Sequence, residues 1–116
     1  MSYREGNKNQ IIETLSEKVA TAILELQEGD EASIAQLVDT WYRSQGYECR
    51  HIDINHGYVW TKDGGATFAI EVSDLIDVLD RVTKMLNGQR LLDFSEYNDM
   101  FVGLPYNLQF TVRKVN

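Results

Sequence analysis

Residues 73–94 have the sequence SDLIDVLDRVTKMLNGQRLLDF, which joins a helical pattern to a candidate strand. Ser73 is suited to cap this helix at its start, and Asn87 with Gly88 is suited to end it. Residues 90–94 then follow as β structure, so the stretch predicts a third helix that leads directly into a strand. The apolar side chains recur at spacings of three and four, as on the buried stripe of a helix: Leu75, Val78, Leu79, Val82 and Leu86.

Two further helices are predicted upstream of this stretch. Residues 10–27 place their apolar side chains on one stripe and stop at a turn that contains Gly29. Ser33 followed by Gln36 has the spacing of a capping box and predicts the start of a second helix, which ends near residues 45–46. Two helices joined by a short polar turn are typical of a helix-turn-helix arrangement. The second helix is expected to bury Ile34, Leu37, Val38 and Trp41.

Between the second and third helices the sequence is rich in β-branched and aromatic residues. Residues 49–54 alternate in polarity, as a half-buried strand does. Residues 58–62 and 67–72 flank a turn that includes Gly64 and Gly65, and they are predicted to pair as a hairpin.

The last part of the chain completes the predicted fold. Strands are expected at 90–94 and 108–115, separated by a loop over 93–105. Without the β-rich insertion, the order of elements is that of a winged helix. The sequence therefore predicts an α+β, winged-helix-like fold of three helices with a C-terminal two-stranded wing. The whole of 1–116 is one domain, in which 1–9 is a flexible N-terminus and 47–72 is a β-hairpin insertion.

The C-terminal stretch also carries a resemblance to a protein family. Its segments LLDFS at 91–95, VGLPYNL at 102–108 and FTVR at 110–113 are similar to the C-termini of small uncharacterised proteins. Those proteins come from low-GC Gram-positive bacteria and their mobile elements, carry a similar Gly-Leu-Pro-Tyr-Asn segment and are thought to be winged-helix-like. The resemblance implies the same fold for this chain. No activity is established for that family, so it implies no chemistry.

Composition limits the classes of function. The chain has 116 residues, with 18 acidic and 11 basic side chains, for a formal net charge of −7. That length suits one domain, and the negative balance opposes binding of nucleic acid or acidic membrane over the whole surface. A single cysteine, Cys49, excludes an internal disulfide and fits a reducing compartment. With neither a signal peptide nor an apolar run long enough to span a bilayer, a cytoplasmic location is expected.

The charges of the third helix are important for function, because a helix-turn-helix protein inserts its recognition helix into DNA. Acidic side chains near a duplex repel its phosphates, so this balance disfavours DNA binding. The sequence instead favours a non-enzymatic domain that binds a protein, or a second copy of itself. The candidate partner-binding residues are the acidic side chains Asp74, Asp77 and Asp80 and the aromatic side chains Trp60 and Phe101. Residues 71–86 carry the acids Glu71, Asp74, Asp77 and Asp80 against the bases Arg81 and Lys84.

Two alternative functions stay open. The first is a DNA-binding transcriptional regulator that uses its β-rich insertion or a dimer for contacts. Basic side chains beside Tyr47, Tyr58 and Trp60 would suit stacking on single strands, although solvation of an exposed sheet explains them more simply. The second alternative is an acidic inhibitor from a mobile element that mimics nucleic acid in the basic channel of a host protein.

Catalytic, metal and cofactor sites are not expected. Cys49, His51 and Asp53 are spaced two apart, so a regular strand would place them on one face, with His56 and Asp63 nearby. Sulfur and imidazole are zinc ligands, and a Cys/His pair can act in nucleophilic catalysis. The spacing differs from that of known ligand motifs, however, and a half-buried edge strand accounts for it. The glycines at 64 and 65 lack the Lys-Ser/Thr of a phosphate-binding loop and are interpreted as a turn.

Overall fold

The computed structural model describes residues 5–53, 57–62, 65, 67–94 and 108–113, which form a mixed α+β fold. Helices and strands occur within these residues in the order α1, β1, α2, β2, β3, β4, α3, β5 and β6. The helices are α1 (Glu5–Leu24), α2 (Ile34–Ser44) and α3 (Val72–Leu86). The strands are β1 (Glu31–Ser33), β2 (Glu48–Asp53), β3 (Gly57–Thr61), β4 (Thr67–Glu71), β5 (Leu91–Phe94) and β6 (Gln109–Arg113).

The ends of α2 and α3 follow local chemistry. The Ser33 hydroxyl accepts a hydrogen bond from the Gln36 backbone N–H at 2.9 Å, which confirms the predicted cap of α2. The predicted end of α3 is also confirmed, since Asn87 has the left-handed φ of 50°. At the start of α3, however, Glu71 occupies the capping position rather than Ser73, and its N–H donates to Asp74 Oδ2 at 2.9 Å. The prediction of Ser73 as the cap was wrong by two residues, because Asp74 supplies the capping acceptor.

Helix α1 begins earlier and ends earlier than its apolar stripe indicated. It starts at Glu5, so residues 5–9 are helical rather than a flexible N-terminus. It ends at Leu24, where Arg90 Nη2 donates to the Leu24 carbonyl at 2.9 Å. A guanidinium from a distant part of the chain thus satisfies one of the carbonyl groups that a helix end leaves without an intrahelical partner.

The first sheet joins distant parts of the chain. Its strands lie in the order β1-β6-β5, and both neighbouring pairs are antiparallel. The two C-terminal strands do pair as predicted, but they belong to a three-stranded sheet and not to a two-stranded unit. The third strand, β1, was not predicted, because its three residues show no periodicity of their own.

The second sheet is the predicted β-rich insertion. It consists of β2, β3 and β4 in sequence order, with antiparallel neighbours, and the predicted β3–β4 hairpin is confirmed by a regular register from Gly57–Glu71 to Thr61–Thr67. The β2–β3 register is irregular, because Cys49 pairs with Trp60 and His51 pairs with Val59. A bulge of this kind breaks the alternation of a strand. The expectation that Cys49 and His51 share one face by simple spacing of two was therefore wrong.

One hydrophobic core includes residues from the helices and from both sheets. Leu15, Ile23, Val38, Val78 and Val82 come from the helices and are each fully or almost fully buried. Phe110 from the first sheet, with Trp60 and Ile70 from the second, belongs to the same cluster. The insertion is therefore part of the packed core, and its position relative to α2 is determined by buried side chains.

Candidate functional site

The outer surface of α3 is the first candidate site. The helix buries Leu75, Val78, Val82 and Leu86 and packs mainly against α1, so the opposite side faces solvent. Ile76 lies on that side with 51% of its surface exposed. Its exposed neighbours on the helix include Asp77, Asp80 and Thr83. We call the exposed residues Ile76, Asp77, Asp80 and Thr83 the α3 face. Residues three and four apart are neighbours on a helix, which brings Ile76, Asp80 and Thr83 into one row.

Asp74 was predicted as part of this acidic surface, but its carboxylate is used within the protein. Only 15% of its side chain is exposed, and Asp74 Oδ2 lies 3.0 Å from Lys8 Nζ on α1. The same oxygen accepts the Glu71 N–H described above. Lys8 Nζ also donates to the Ala69 carbonyl at 3.4 Å. Asp74 therefore ties the starts of α1 and α3 together and contributes little charge to the α3 face.

Asp77 and Asp80 carry the negative charge that remains on the α3 face. Both side chains are exposed. Asp80 Oδ2 lies 3.4 Å from Lys84 Nζ, four residues along the helix, and both side chains are mostly exposed to water. Exposed pairs at this spacing contribute only about 0.3–0.5 kcal/mol, so Asp80 can exchange Lys84 for another cation at small cost. Asp77 forms no ion pair with any residue that the structure describes.

Trp60 was predicted to bind a partner, but the structure buries it. The side chain is 0% exposed, and its Nε1 donates to Asp39 Oδ1 on α2 at 2.7 Å. The ring packs between Tyr42, at a centroid distance of 4.9 Å, and Tyr58, at 5.7 Å. Since the face of β3 that carries Trp60 is covered by α2, this indole presents no surface to a partner. Phe101, the other aromatic candidate, lies outside the described residues.

A shallow cleft beside α2 is the second candidate site. It has a volume of about 270 Å³ and lies between α2 and the second sheet. Asp39 Oδ2 accepts from Arg43 Nε at 2.7 Å, and this hydrogen bond raises the pKa of the Arg43 guanidinium. Burial, together with the nearby Cys49 and Asp39, raises the pKa of Tyr58 to about 12. The lining residues are Ser33, Ala35, Gln36, Asp39, Arg43, Cys49 and Tyr58.

Cys49, His51 and Asp53, for which a half-buried edge strand was preferred over a zinc or catalytic site, lie on β2 with an irregular register. The register shift described above separates Cys49 from His51 on the strand. His56 and Asp63 lie outside the described residues. Within the described ranges, the carboxylates, thiol and imidazoles form no group of three able to hold a metal ion. At Asp39, moreover, each carboxylate oxygen already accepts a hydrogen bond, one from Trp60 and one from Arg43.

The basic side chains of the described residues are mostly engaged within the protein. Lys8, Arg43, Lys84 and Arg113 form ion pairs with aspartates. Three further basic side chains contact a specific group: Arg90 donates to the Leu24 carbonyl, Arg81 donates to Asn9 Oδ1, and Lys62 lies over the Tyr47 ring. Most of the basic side chains placed by the structure therefore have a partner within the protein, and they are spread over several parts of the chain.

Sequence reasoning missed the two residues that matter most at these sites. Ile76 lies outside the buried stripe of α3. An apolar residue at such a position could have been predicted from the sequence to be exposed. Asp39 carries no such signal, because its importance comes from Trp60, which lies 21 residues away in sequence.

None of the described helices is long and apolar enough to cross a membrane. Comparison of the chain with protein-family models, with curated proteins and with solved structures found no match.

Proposed function

We propose that this chain is a non-enzymatic, winged-helix-like domain that binds a protein partner through the α3 face. The fold part of the proposal is supported by the element order and by the strand order β1-β6-β5, in which the strand between α1 and α2 pairs with the second of the two C-terminal strands. In helix-turn-helix proteins one helix is presented to the ligand, and α3 is the corresponding element here.

The observation that carries the proposal is the exposure of Ile76. More than half of an isoleucine side chain lies in water at the middle of a helix face, at 51% exposure. Full burial of such a side chain is worth about 1.5–3 kcal/mol, and a partner that covers it gains part of that free energy.

The electrostatics of the same face disfavour duplex DNA as the ligand. Asp77 and Asp80 lie beside the exposed Ile76, and the two cations of this part of α3 have other partners, since Lys84 is paired with Asp80 and Arg81 donates to Asn9 Oδ1. Binding to DNA normally requires lysines and arginines that neutralise several phosphates. On this surface a duplex would instead meet two carboxylates.

The proposal is tested by affinity capture from cells that encode the protein, with two matched variants. Ile76→Gln replaces the exposed isoleucine on α3, whereas Leu91→Gln replaces a leucine on β5 that is 52% exposed. We expect a protein retained by the wild type and by Leu91→Gln to be lost, or reduced at least about tenfold, by Ile76→Gln. The proposal is wrong if no protein distinguishes the two variants.

DNA binding is the second candidate, because the strand order of the first sheet is also compatible with a DNA-binding winged helix. It predicts a shift of mixed duplex DNA in a native gel at low salt, with affinity that falls steeply as salt is added. Absence of a shift at micromolar protein would remove it.

A further inference from the structure

We draw no further inference here: the strongest candidate, the edge strand β5 of the first sheet with its exposed side chains Leu91 and Phe94, carries nothing, because no part of the chain that the structure describes shows what would cover it.

Discussion

Asp39 is the residue on which the packing of the second sheet against α2 depends. One carboxylate oxygen accepts the indole N–H of Trp60 and the other accepts Arg43 Nε, both at 2.7 Å. The Trp60 ring is fully buried, so its N–H has no access to water if this acceptor is removed. A buried donor without a partner retains its desolvation penalty, whereas an exposed ion pair contributes little to stability.

Asp39→Ala should therefore lower the free energy of unfolding by about 1–3 kcal/mol, the cost of an unsatisfied buried polar group. Asp39→Asn should lower it less, since the amide oxygen can still accept from Trp60 Nε1. Arg43→Gln leaves the indole bond intact and is the matched control. Urea denaturation of the three variants measures these differences. An Arg43→Gln variant as unstable as Asp39→Ala would show that the ion pair, and not the indole bond, matters.

At the scale of elements, the β3–β4 hairpin contains a position that only glycine fits. Gly57 has a φ of +127°, and a Cβ atom there would lie 2.1 Å from the Ile70 carbonyl oxygen and 2.8 Å from Glu71 Cα. Gly65 has a similar φ of +121°, but a Cβ atom would meet nothing within 4 Å. The two positions thus share the conformational strain of a left-handed backbone and differ only in the steric contact.

Gly65→Ala should destabilise the protein by about 1–2 kcal/mol through backbone strain alone. Gly57→Ala should cost at least about 3 kcal/mol, because β3 and β4 must also move apart. Thermal unfolding followed by circular dichroism compares the two variants. Similar losses would mean that the hairpin relaxes around the added methyl group.

How far the elements could be predicted depends on the range of the interactions that form them. Ser33 and Asn87 act on their own helices, so sequence reasoning located those helix ends. Strand β1 forms because residues 31–33 pair with residues 109–111. No local sequence pattern predicts a contact between parts of the chain so far apart. Asp74 and Trp60 were misplaced for the same reason, since their environments depend on Lys8 and Asp39.

On the scale of the whole molecule, the two sheets share one core, so they should unfold together. Trp60 and Ile70 of the second sheet belong to the same buried cluster as Phe110 of the first sheet and Leu15 of α1. In a Trp41→Phe variant, fluorescence reports on Trp60 alone, while circular dichroism reports mainly on the helices. We expect the two signals to change at the same denaturant concentration, as in a two-state transition.

A fluorescence change at lower denaturant than the loss of helix would contradict this expectation. It would mean that the second sheet separates from α2 before the helices unfold. A Tyr42→Phe variant is the control for local changes in Trp60 fluorescence, because it alters the side chain that contacts the Trp60 ring and keeps the aromatic contact.

The pairing of β1 with β6 has a consequence for biosynthesis. Strands β2, β3 and β4 follow one another closely along the chain, so their sheet can form while the ribosome is still adding the residues beyond it. Residue 31 must wait for residue 111 before the other sheet can close. During that interval α1 and α2 have been synthesised, but β6 has not, and β6 supplies Phe110 and Val112 to the core. Until β6 is in place, the apolar surface that β6 covers stays accessible to chaperones and proteases.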